Sequence, residues 1–150
     1  MTAAAADIEL ARRLERCEIP NEGFPHASHL KVAWVYLAET ESVDAAADRM
    51  AATLRRFAAS VGKSEKYHHT VTVFWMRVLA AARDAAPGAD LDEILAAHPS
   101  LLDKTLPNAF YSPERFGSDA ARASWIEPDL RPLPRLQTSD VRLQTSEQLT

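Results

Sequence analysis

Cysteine, glycine and β-branched aliphatics are all scarce in this 150-residue chain. Cys17 is the only cysteine, so no internal disulfide can form and no multi-cysteine zinc module can be built. It stands beside Arg16 and Glu18 with no histidine next to it, and reads as an incidental thiol near a helix end. The four glycines, Gly23, Gly62, Gly88 and Gly117, lie too far apart to make a phosphate-cradling loop. Valine and isoleucine together number twelve against 27 alanines, a balance that favours helix and leaves little material for a sheet. The longest apolar run in the helical part, Val32 to Ala38, is far short of the roughly 20 residues of a membrane span. Residues Met1 to Ile8 lack the basic start and long apolar stretch of a secretory signal, so a cytoplasmic setting is expected. Basic residues are outnumbered, with a net charge of −4, which removes the electrostatic case for nucleic acid or an anionic membrane as partner.

What remains is an ordinary globular composition, 47% hydrophobic and 25% charged. The expectation is one all-α domain over residues 1–135, followed by a disordered tail over 136–150. That tail carries a short duplication, Arg135-Leu-Gln-Thr-Ser-Asp140 and Arg142-Leu-Gln-Thr-Ser-Glu147, with too few apolar residues to bury. The domain reads as a compact bundle of about four longer helices, with short C-terminal helices and an extended proline-rich strap.

Local signals place the helices. Apolar spacing predicts one from Ala3 to about Cys17, and a second from Ser28 or slightly earlier to about Glu39. Ser42 is a candidate N-cap for a third, whose seam of Val43, Ala47, Met50, Leu54, Phe57 and Val61 stops at Gly62. A fourth is expected over about Ser64 to Ala86, with a thin wet stripe of Lys66, Thr70, Arg77 and Asp84, and should be the central helix. Asp90 and Glu93 form a capping-box pattern, and Ser112-Pro113 and Ser118 mark two more helix starts. Residues Glu127 to Pro134 carry three prolines and should be extended.

Four of the five histidines fall in two aromatic-rich windows: His26 and His29, then His68 and His69. At roughly 100° per residue, His26 and His29 share a helix face with Ala33, Tyr36 and Leu37. On the same projection His68 aligns with Thr72, Trp75 and Leu79, while His69 turns towards the wet stripe. The candidate site is therefore His26, His29 and His68, with Tyr67 and Thr72 as catalytic partners and Phe24, Trp34, Tyr36 and Trp75 as walls. Three chemistries compete for it. In the first, the three imidazoles hold a divalent zinc, iron or copper ion, leaving a position for water or substrate. In the second, a histidine and a tyrosine or second histidine perform metal-free acid–base catalysis. In the third, the histidines only pack and hydrogen-bond.

The leading expectation is a small-molecule enzyme of hydrolase, lyase or isomerase type. A non-catalytic ligand- or metal-binding module and a helical interaction protein stand as alternatives. An assembly of identical copies is compatible with each. Three blocks carry a resemblance: Phe24-x-His26-x-x-His29-Leu30-x-x-Ala33-Trp34, then Lys66-Tyr67-His68-x-Thr70-x-Thr72, then Trp125-x-Glu127-Pro128-Asp129-Leu130-x-Pro132-Leu133-Pro134. Together they resemble a family of small bacterial all-α proteins without an assigned activity. The resemblance implies that the strap belongs to the domain and that the inward histidines form one unit. It also implies an acidic residue in relatives where this chain has His69, so a carboxylate role at that position would be missing here.

Overall fold

The computed structural model describes residues 3–20 and 24–133. Among them there is helix and irregular backbone but no strand. The expected tail over 136–150 lies outside the described residues. Helix α1 spans Ala5–Glu15, α2 His26–Glu39, α3 Val43–Ser60 and α4 His69–Ala85. Three shorter ones follow: α5 Leu91–Ala97, α6 Pro113–Phe116 and α7 Asp119–Ala123. Single 3₁₀ turns occupy Ser64–Lys66, Pro99–Leu102 and Leu106–Ala109.

The ends of these helices follow the local chemistry. The Ser42 hydroxyl accepts from the Ala45 amide at 3.0 Å and starts α3. Gly62, at φ +73°, ends it, with the Lys63 amide reaching back to the Ala58 carbonyl at 2.7 Å. Asp90 and Glu93 close a reciprocal capping box at 2.8 Å in each direction. Helix α1 ends in the same left-handed turn as α3, but with Cys17 (φ 57°) where glycine is usual. The amide of Glu18 then bonds the Arg13 carbonyl at 2.9 Å.

Helices α2, α3 and α4 pack on one another, α1 lies against α2 and α3, and α7 against α4. Two helices share the centre. In α2, six consecutive residues from Val32 to Leu37 are buried, so it is enclosed around its whole circumference. Helix α4 buries Thr70, Thr72 to Met76 and Val78 to Ala81. The expected wet stripe on α4 is corrected here. Thr70 is fully buried (0% exposed), and Lys66 lies in the 3₁₀ turn before the helix. Periodicity could not see this, because the buried Thr70 hydroxyl is satisfied by chain far away. It donates to the Ser124 carbonyl at 2.7 Å and accepts from the Ile126 amide at 3.3 Å.

That pairing is one of several that seat residues 124–130 on the bundle. The Tyr111 hydroxyl donates to the Ile126 carbonyl at 2.8 Å, and the Leu130 amide to the Phe110 carbonyl at 2.9 Å. The Asp129 carboxylate takes both the amide and the hydroxyl of Ser112, at 2.8 and 2.6 Å. These bonds hold the aromatic layer of Phe74, Phe110 and Tyr111 beneath them.

Candidate functional site

His26 is the first residue of α2, and its ring lies 4.4 Å from that of Trp75 on α4. Its Nε2 is 2.9 Å from the Leu101 carbonyl. A carbonyl only accepts, so Nε2 carries the proton in this contact, and in the neutral ring Nδ1 is a bare acceptor. One turn further along, His29 meets Phe24 edge-on at 4.3 Å, and Phe24 in turn lies 6.0 Å from Phe57 on α3. Neither ring nitrogen of His29 hydrogen-bonds to a described residue. Nor are those nitrogens sealed in, since the one buried, unpartnered side-chain polar atom among the described residues is Nε of Arg77. Burial, with a smaller contribution from the neighbouring His26, lowers His29 to about 4. At neutral pH, then, His29 is an uncharged imidazole with one donor and one acceptor, neither of them bonded to a described residue.

His68 does something different from what the helical projection suggests. It precedes α4 in extended conformation and caps it, Nδ1 accepting from the Val71 amide at 3.2 Å. Its Nε2 donates to the Phe116 carbonyl at 2.8 Å, and its ring lies 4.7 Å from Phe116. Both nitrogens are thus spent on backbone groups, in the one neutral tautomer that can do both. Burial also lowers its pKa. The projection failed because it assumed the helix began before His68. Trp75, which holds His26, lies two turns further along α4, roughly 10 Å by helical rise. Among the described residues, no group of three His, Cys, Asp or Glu side chains is arranged to hold a metal ion.

The remaining expected residues divide between the start of α4 and helix α2. Thr72 donates its hydroxyl to the His68 carbonyl at 3.0 Å, reinforcing the first turn. The Tyr67 hydroxyl is hydrogen-bonded to His69 Nδ1 at 2.8 Å, with the Arg55 guanidinium 4.8 Å over the Tyr67 ring. Burial raises the Tyr67 pKa and lowers that of His69, so this pair is neutral as well. Trp34 is a core residue, 1% exposed.

Tyr36, expected as a wall beside His29, is placed elsewhere by its hydroxyl. That group donates to Glu15 at 2.6 Å and lies 3.0 Å from the Thr53 hydroxyl. Glu15 also pairs with Arg12 at 2.9 Å. Arg12 pairs as well with Glu39, and Arg49 bonds Glu39 at 3.1 Å while covering the Tyr36 ring. The Tyr36 phenol is pushed up to about 12, by burial first and then by its bond to Glu15. This ring of charges ties α1 to α2 and α3. Sequence reasoning missed it, although a tyrosine inside an otherwise apolar run signals that its hydroxyl needs a partner.

Comparison with protein-family models, with curated proteins and with solved structures finds no match for the chain. Among the described residues, no helix is long and apolar enough to cross a membrane.

Proposed function

We propose that this chain binds a small molecule at the start of α2, with His29 as the polar centre of the site and His26 beside it. One observation carries the reading: a largely desolvated imidazole whose two nitrogens have no hydrogen-bond partner among the described residues. Those nitrogens are not sealed from solvent, so a ligand that bonds His29 takes the place of water at an imidazole that no described residue engages. Phe24, Phe57 and Trp75 supply apolar surface around the pair. The chemistry favoured is metal-free acid–base work, because a neutral imidazole with a free nitrogen can take and return a proton. His68, Tyr67 and Thr72 act here as positioning groups for the start of α4. The metal-dependent reading has less support, since His26 and His68 already use ring nitrogens on backbone carbonyls and an amide. The proline-rich segment serves this reading as a strap, holding α4 and Phe110–Ser112 together.

Replacing His29 by Leu tests it. A site residue held unpaired should give a variant as stable as the native chain or slightly more so, yet unable to bind compounds that shift the native His29 signals. Destabilisation comparable to a core truncation, about 2 kcal/mol or more, would show His29 to be packing alone.

A further inference from the structure

We infer that His68 is a proton-operated latch, which joins the start of α4 to Phe116 when neutral and lets go when charged. The latch stands whether or not a molecule binds at His29. Its ring is fixed at both nitrogens: Nδ1 accepts from the Val71 amide at 3.2 Å, and Nε2 donates to the Phe116 carbonyl at 2.8 Å. A proton added to Nδ1 turns that acceptor into a donor, and the Val71 amide can only donate. Two N–H groups then face each other, and the bond is lost. Turning the ring away from Val71 also carries Nε2 off the Phe116 carbonyl, because both nitrogens belong to one rigid ring. Keeping Phe116 instead unseats the first turn of α4. On either path the Val71 amide loses its partner.

The other histidines lack this property. The bond of His26 runs from Nε2 to a carbonyl, which an imidazolium keeps. His69 Nδ1 is paired with the Tyr67 hydroxyl, which accepts as readily as it donates. His29 and His98 have no ring hydrogen bond to a described residue to lose. The surroundings of His68 also oppose its charge. Helix α4 presents its positive end to the ring, and from α7 the Arg122 guanidinium faces it, held on the Glu65 carbonyl at 2.5 Å. From α6 the ring meets uncharged Phe116, while Arg115 is bonded to the Glu127 carbonyl. Tyr67 and His69 flank it on its own segment, and behind His69 stand Arg55 and Asp48 of α3. Asp48 is the one acid in this set. Burial lowers the pKa of His68, so the latch is closed at neutral pH and opens as the pH falls below the ordinary value of 6.5.

The test is an NMR titration of the full chain from pH 7.5 to pH 5, following the His68 ring nitrogens and the Val71 amide. The amide of Met76, a residue of α4 with no exposed surface, reports on the fold as a whole. His68 should titrate below 6.5, and the Val71 amide should shift with the same midpoint. Relative to Met76, Val71 should lose about fivefold or more of its protection from exchange, the scale of a lost helix cap. His68→Asn keeps a capping oxygen without a titrating group, so its Val71 signal should stay constant over the range. A Val71 amide that ignores the titration of His68, or that responds with the same midpoint in His68→Asn, overturns the latch. So does loss of Val71 and Met76 together, which would mean that acid unfolds the whole chain at once. Should His68→Asn fail to fold, the native titration decides alone.

Discussion

Acid should unfold this protein through His29. In the folded chain its pKa is about 4, against 6.5 for a free histidine. The unfolded chain therefore takes up a proton between these values that the folded chain refuses. Stability is then unaffected by His29 above about pH 6.5 and falls steadily as the pH drops towards 4. At about 1.4 kcal/mol per unit, the full loss is at most about 3 kcal/mol, and it is smaller to the extent that solvent reaches the ring. Urea unfolding at pH 7.5 and pH 4.5, on the native chain and on His29→Gln, measures it. Glutamine carries no titrating group, so the variant should lose roughly 1–2 kcal/mol less between the two pH values than the native chain. His68 and His69 are also lowered by burial and act in the same direction, so the variant keeps some acid sensitivity. Equal pH dependence in the two proteins would refute the claim that His29 is held neutral by its surroundings.

Three further perturbations probe the frame around the site. Tyr36→Phe removes the donor that Glu15 receives at 2.6 Å from a residue with no exposed surface. A hydrogen bond to a charged acceptor contributes about 1.5–3 kcal/mol, and a loss below about 0.5 kcal/mol by denaturant titration would show that Arg12 and Arg49 alone satisfy Glu15. Thr70→Val keeps the shape but strands the Ser124 carbonyl and the Ile126 amide, both bonded to the Thr70 hydroxyl. It should cost about 1–3 kcal/mol and speed amide exchange at Ile126, and unchanged exchange there would contradict the anchoring role. Cys17→Gly relieves the left-handed strain at φ 57°. Less the greater chain entropy of glycine, it should stabilise the fold by roughly 0.5–1 kcal/mol in a thermal melt, and a lower Tm would mean that the side chain contributes more than its conformation costs.

What the sequence determined by itself is what neighbours along the chain decide. The caps at Ser42, Ser112 and Ser118, the box of Asp90 and Glu93, and the stop at Gly62 each act within a few residues, so residue type and spacing suffice to find them. The all-helical character follows from the same short-range preferences, expressed over alanine-rich stretches. That His26 and His29 lie one turn apart on a single helix was legible too, from the spacing alone. Tertiary structure decided every role that depends on a distant partner. Leu101, 75 positions away, sets the tautomer of His26, and Phe116, 48 positions away, takes the Nε2 proton of His68 and leaves Nδ1 to cap α4. Ser124 allows Thr70 to be buried, and Glu15 and Thr53 draw the Tyr36 hydroxyl away from the histidines. A polar side chain in an interior takes its function from whichever group satisfies it, and helical periodicity gives the direction in which it points but not what waits there.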